Sequence, residues 1–128
     1  MAKTVEQLKI QVADKVGKLA EITQALKKAG VNIIAANAWV QEGEGFMYLV
    51  ADNIDKAAKA LDPVVDSCDS GGKAICTEVP NTPGALNEVA KKLADAGIAI
   101  NLCYATTAGN RAMIVLDTSD NAKAAKII

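Results

Sequence analysis

No histidine occurs anywhere in the 128 residues, so the side chain whose ordinary pKa best suits proton transfer near neutrality is missing. Catalysis would have to use a tuned carboxylate, lysine or cysteine. Cysteines number three, prolines three, and aromatic residues make up 3% of the chain. Cys68, Cys76 and Cys103 form no C-x-x-C pair, their number is odd, and without histidine they complete no common zinc set. Free thiols are therefore expected, with no metal and no other cofactor. Neither Cys76 nor Cys103 has a visible base partner, which weighs against a cysteine enzyme. The P-loop lysine, the nucleophile elbow and the dinucleotide fingerprint are all missing, and Gly43-Glu44-Gly45 reads as a turn rather than a phosphate cradle. The chain is expected not to be an enzyme.

An excess of either charge is also missing. Fourteen basic residues against fifteen acidic ones give a formal net charge of -1, and the pI is near 5.4. That leaves no electrostatic footprint for a phosphate backbone, so nucleic acid is not an expected partner. No apolar run is long enough to span a membrane, and Met1 to Lys9 lacks the apolar core of a signal peptide, so a cytoplasmic location is expected. At 51% hydrophobic and 23% charged the composition is that of an ordinary globular protein.

What the chain does have is a repeat. Val12/Val79, Gly17/Gly84, Leu19/Leu86, Glu21/Glu88, Ile22/Val89, Leu26/Leu93, Ala29/Ala96, Gly30/Gly97, Val31/Ile98 and Ile33/Ile100 all pair at one offset of 67 residues. A fixed offset says that one supersecondary unit was built and used twice. Two domains are expected, at 1–70 and 71–128, each near the lower size limit for folding alone.

Within the first copy Leu8, Ile10 and Val12 alternate with Lys9 and Gln11, the period of a half-buried strand. Leu19, Ile22, Leu26 and Ala29 recur at helical spacing until Gly30 stops the helix. Val31 to Gln41 and Phe46 to Ala51 read as strands around a turn at Glu42 to Gly45, and a second helix runs from Ile54 to Leu61, capped by Asn53 or Asp55. The second copy repeats the order: strand Ala74 to Val79, helix Ala85 to Ala96, strand Ile98 to Thr106, strand Ala112 to Asp117, helix Asn121 to Ile128. Val64 to Cys68 is expected as a short fourth strand of the first copy, with Asp69 to Gly72 as a turn into the second. The second copy then lacks a last strand. The order β-α-β-β-α-β is the split βαβ arrangement of an α+β, ferredoxin-like sandwich, an antiparallel sheet with both helices on one face.

The phrases Val12-Ala13-Asp14-Lys15-Val16-Gly17-Lys18-Leu19 and Val79-Pro80-Asn81-Thr82-Pro83-Gly84-Ala85-Leu86, followed by Gly30-Val31-Asn32-Ile33 and Gly97-Ile98-Ala99-Ile100, closely resemble the ACT domain, twice over nearly the whole chain. The resemblance implies a stand-alone tandem of two modules that binds a small amino acid and regulates an enzyme, with the two sheets joined side by side and a homodimer as the assembly. It places ligand between the two repeats, at the turn before the helix of one copy and the strand after the helix of the other. Asn81, with Thr82, Gly84, Ala85 and Leu86, falls on the turn and Asn32, with Ile33, on the strand. The mirror-related positions are Asp14, Gly17 and Lys18 on the turn and Ala99 on the strand, a departure from the family's asparagine pair that Asn101 would partly make good.

The residues agree with that placement on physical grounds. Glycines at 17 and 84 permit close backbone approach, and the first-turn amides of a helix offer free donors to an α-carboxylate. Asn81 and Asn32 each carry a donor and an acceptor, and Asp14 favours an ammonium through a charge-assisted bond. The same residues have plainer uses. The glycines suit any tight turn, Asn81 suits an Asx-turn or helix cap, Asp14 complements a helix dipole, and Trp39 reads as packing. A competing function is a regulatory or interaction module that docks through a sheet edge without any ligand.

Overall fold

The computed structural model describes residues 2–128. Among them the elements run β1 (Lys3–Ala13), α1 (Lys18–Lys28), β2 (Ile33–Gln41), β3 (Glu44–Ala51), α2 (Ile54–Leu61), β4 (Ser67–Pro80), α3 (Ala85–Asp95), β5 (Ile100–Ala108), β6 (Arg111–Thr118) and α4 (Asn121–Ile127). The chain forms two compact units. The first is Glu6–Gly72, and the second combines residues 2–5 with Lys73–Ile128.

Each unit is a ferredoxin-like βαββαβ sandwich. In the first unit the hydrogen-bonded strand order is β2-β3-β1-β4, and in the second it is β5-β6-β4-β1. The hairpins β2–β3 and β5–β6 are antiparallel, as are the pairs β1–β3 and β4–β6. Alternation along β1 and β3 turns Leu8, Ile10, Val12, Met47, Leu49 and Ala51 toward Ile22 and Leu26 of α1 and toward Ile54, Ala57 and Leu61 of α2. The second unit repeats this core with Ile75, Ile114 and Leu116 against Val89, Leu93 and Ala124. Burying side chains of this size stabilises the fold by about 1.5–3 kcal/mol each before conformational entropy is charged against them. Trp39, Phe46 and Tyr48 stand on the opposite face of the first sheet, with ring centroids 5.4 and 5.5 Å from Trp39.

The helix ends follow from the residues at them. Gly30 and Gly97, both at φ 71°, take the left-handed position, and the amides of Val31 and Ile98 reach back to the carbonyls of Leu26 and Leu93 at 3.0 and 2.9 Å, closing a Schellman motif. Asn53 caps α2 by accepting from the Lys56 amide at 3.0 Å.

Two expectations require correction. The segment read as a short strand, Val64 to Cys68, and a turn, Asp69 to Gly72, is instead largely one 14-residue strand, β4, beginning at Ser67. Gly72 is there for proximity rather than for turning, since a Cβ on it would meet the Gln7 carbonyl oxygen at 2.8 Å. The second copy also has its last strand. Residues 3–5, the start of β1, belong to the second unit, where Ala2 packs on the same apolar cluster as Ala96 and Ile128. β1 and β4 are long because each gives one stretch to each unit: residues 6–13 and 67–72 to the first, 3–5 and 73–80 to the second.

Candidate functional site

The repeat builds the same cleft in both units, between the turn that precedes the first helix and the inner face of the hairpin tip. In the first unit it is lined by Val12, Asp14, Lys15, Lys18, Leu19, Ile22, Ala38, Val40, Gly45 and Met47, with a volume of about 240 Å³. In the second it is lined by Val79, Asn81, Thr82, Leu86, Ala105, Thr107, Ala112 and Ile114, with about 220 Å³. Every one of these second-unit residues stands 67 positions after a first-unit counterpart (12 to 79, 47 to 114). Both cavities are smaller than the roughly 300–1,000 Å³ of drug-sized and cofactor sites, which suits a ligand of metabolite size.

Local structure fixes the turn. Gly17 and Gly84 precede their helices at φ 87° and 88°, a left-handed conformation that other residues adopt only at a cost. No atom of the protein lies within 4 Å of an added Cβ at either, so as far as the protein's own atoms go the backbone angle alone calls for glycine. Neither helix has a side-chain cap. The Lys18 amide donates to Lys15 O at 3.2 Å and the Glu21 amide to Gly17 O at 3.0 Å, matched by Ala85 to Thr82 and Glu88 to Gly84. The donors left at each helix start are the next two amides, those of Leu19 and Ala20 in α1 and of Leu86 and Asn87 in α3.

The turn is clasped to the hairpin. Asp14 N donates to Gly43 O at 3.3 Å, and Asn81 N donates to Asn110 O at 2.9 Å. Asn81 adds a second tie, its Nδ2 donating to Gly109 O at 3.0 Å. That bond uses one of the two amide hydrogens and leaves the other, with Oδ1, for a further partner, and Asn81 does not cap α3. The Asp14 carboxylate makes no hydrogen bond or ion pair among the described residues, whereas Lys18 is paired with Glu21 at 3.1 Å.

Of the residues expected at a site, Asp14 and Lys18 meet in the first cleft and Asn81, Thr82 and Leu86 in the second, while Gly17, Gly84 and Ala85 shape the turns. Asn32 and Ile33 stand elsewhere, in a shallow depression with Thr23, Lys27 and Gly30. This is the far end of α1, a helix of 11 residues and hence about 16 Å long. Asn32 lies one residue before β2 and is held through its backbone, its amide donating to Asp52 Oδ1 at 3.0 Å and its carbonyl accepting from Asp52 N at 3.1 Å. Ala99 makes the equivalent pair with Ser119 at 3.0 and 2.9 Å. Asn32 belongs to the first unit and Asn81 to the second. Asn101 sits at a bulge between Ile100 and Leu102, which interrupts the alternation that would put it on the same face as Ala99.

Sequence reasoning missed the hairpin wall: Ala38, Val40, Gly45 and Met47, with Ala105, Thr107, Ala112 and Ile114. The available signal was weak: at the offset of 67 residues only Ala38 and Ala105 match, while Val40/Thr107, Gly45/Ala112 and Met47/Ile114 differ. Burial raises the thiol pKa of Cys68, Cys76 and Cys103 above the ordinary value, with Asp62 and Asp69 adding to the effect at Cys68 and Lys3 opposing it at Cys76. An activated nucleophile needs the opposite shift. Among the described residues no three His, Cys, Asp or Glu side chains stand close enough together to hold a metal ion, and no helix is long and apolar enough to cross a membrane.

Two sandwiches of the same topology, each with a cleft at its pre-helix turn, make up a duplicated α+β module. The chain belongs to the ACT domain pair family, whose model matches residues 3–128. No curated protein sequence matches it. Among solved structures it is similar to protein BT0572 from Bacteroides thetaiotaomicron, with 29% identity, a TM-score of 0.89, and coverage of 98% of this chain and 87% of that one. The fold also matches the regulatory subunit of aspartate kinase from Thermus thermophilus at 17% identity and TM-score 0.71, covering 98% of this chain and 93% of that one. The aspartate kinase of Clostridium acetobutylicum matches at 17% identity and TM-score 0.68, covering 99% of this chain and 33% of the longer one.

Proposed function

We propose that this chain is a non-catalytic regulatory protein that binds a small amino acid at its pre-helix turns and transmits occupancy to a partner enzyme. The observation that carries this reading is the recurrence of one metabolite-sized cleft at one register in both units, each with helix-start amides and a free acceptor at its mouth. An α-carboxylate suits the amides of Leu19 and Ala20, or of Leu86 and Asn87. The ammonium suits the Asp14 carboxylate or the Asn81 Oδ1. Both ends of a zwitterion must be met in this way, because an unpaired buried charge costs several kcal/mol. Ligand would then act by favouring one of the arrangements available to the protein or its complex.

Calorimetric titration with the twenty amino acids tests the proposal. Binding by at least one of them is expected, weakened about tenfold or more by Asp14→Ala or Asn81→Ala, since bonds to charged groups contribute about 1.5–3 kcal/mol. Absence of heat with all twenty would overturn it.

A second reading, association through a sheet edge into a homodimer or onto an enzyme, has one observation in its favour. β2 and β5 are terminal in their strand orders, and neither Ile33–Gln41 nor Ile100–Ala108 contains a charged residue or a proline. Edge strands left free in solution usually carry such protection. Ala36→Lys and Cys103→Lys are expected to abolish association in light scattering if this reading holds, and to leave the mass unchanged if it does not.

A further inference from the structure

The two clefts share a register and most of an apolar wall but differ at a few positions, and we propose that they select amino acids of different classes: the first an apolar one, the second one bearing a hydroxyl or amide. This rests on the reading that the clefts bind amino acids and goes beyond it by assigning a side-chain class to each.

The register places the decisive pair. Val40 lies opposite Gly45 in the first hairpin, and Thr107 lies opposite Ala112 in the second. Each is two residues beyond a partner of the helix-facing row, Ala38 opposite Met47 and Ala105 opposite Ile114, so both side chains point to the inner face where the cleft lies. Val40 and Thr107 have nearly the same shape and differ by one hydroxyl. In the first cleft the wall is therefore apolar throughout, from Val12, Leu19, Ile22, Ala38, Val40 and Met47. In the second, Val79, Leu86, Ala105 and Ile114 keep the apolar wall and Thr107 adds a hydroxyl-bearing side chain to it, with Thr82 and Asn81 at the mouth.

Room at the floor differs in the same sense. Gly45 gives the first cleft no side chain where the second has the methyl of Ala112, and a Cβ at Gly45 would come within 3.0 Å of Val12 Cγ2. Val40 and Leu19 remain 57% and 56% exposed, apolar surface that a ligand side chain would cover. The mouths follow: Asp14, Lys15 and Lys18 are charged in the first cleft, while Asn81, Thr82 and Ala85 at the equivalent positions are neutral.

The selectivities should be unequal. An apolar wall rejects a hydroxylated isostere only weakly, whereas a site whose own hydroxyl expects a partner discriminates strongly against a ligand that lacks one. The second cleft is the stricter of the two.

The test is calorimetric titration of the full chain with each of the twenty amino acids, repeated on Val40→Thr and Thr107→Val, two near-isosteric changes at exposed positions. Two ligand classes are expected, one site each. Val40→Thr should weaken the apolar class about threefold to tenfold and leave the polar class alone. Thr107→Val should weaken the polar class tenfold or more and leave the apolar class alone. Gly45→Ala should reduce affinity for the bulkiest apolar ligand only. One amino acid filling two equivalent sites, a single occupied site, or variants whose effects fall on the other class would overturn the inference while leaving amino-acid binding in place. Failure of every amino acid to bind would remove the underlying reading and this inference with it.

Discussion

Position 84 needs glycine for its backbone and not for its surroundings, and position 17 needs it for the same reason. Both sit in the left-handed region with open space where a Cβ would go, so alanine there meets no clash and bears only the conformational penalty. Gly84→Ala is expected to cost about 1 kcal/mol, read as a lower denaturation midpoint with an unchanged slope. An unaltered midpoint would refute the assignment. The cysteines make a second prediction at this scale. Because burial raises all three thiol pKa values, the thiolate fraction at pH 8 lies below that of free cysteine. Alkylation by iodoacetamide should be slower than for a free thiol at all three and accelerate as pH rises. Cys103 is the critical case, since it is the most exposed of the three and access limits its rate least. What was unreadable here was Asn81: its Nδ2 bond goes to Gly109, 28 positions away on a hairpin, a partner that no local pattern names.

Helices and hairpins were legible because their apolar periods and their glycine stops agree. Ile22 and Leu26 bury where the period puts them, and Gly30 takes the left-handed turn that ends α1. β4 was not legible because Gly71-Gly72 after Asp69 has the composition of a turn. Its glycines serve a different end, and they differ from each other. A Cβ on Gly72 would lie 2.8 Å from the Gln7 carbonyl oxygen, whereas on Gly71 the nearest atom is Asp69 Oδ1 at 3.4 Å. The first neighbour is backbone within a sheet and cannot step aside. The second belongs to a side chain and can. Gly72→Ala is therefore expected to destabilise by about 1–3 kcal/mol, the range of overpacking, and Gly71→Ala by much less. Equal denaturation midpoints for the two variants would mean that β4 does not approach Gln7 as described.

At the scale of the whole chain the duplication explains even the strand that seemed to be missing. The offset of 67 sets residues 2–5 against 69–72, part of the stretch that completes the first unit, so by the same rule residues 2–5 complete the second. Reading the copies as consecutive blocks hides this, because the second unit draws its last strand from the opposite end of the sequence. The arrangement makes the units unequal when the chain is cut. Residues 6–72 contain all six elements of one sandwich, while 73–128 lack the strand that residues 3–5 supply and the Ala2 contact beside it. A chain beginning at residue 6 should lose amide-exchange protection in β6 and α4 while keeping it in β3 and α2, since opening follows the unit that has lost its partner strand. Residues 73–128 alone should not melt cooperatively. A permuted form, in which residues 1–5 follow Ile128 through a short glycine-rich linker, should restore cooperative melting, because the strand returns to the same unit from the other direction. Cooperative melting of 73–128 without that addition would show that the borrowed strand is dispensable and that the exchange of strand ends is not what completes the second sandwich.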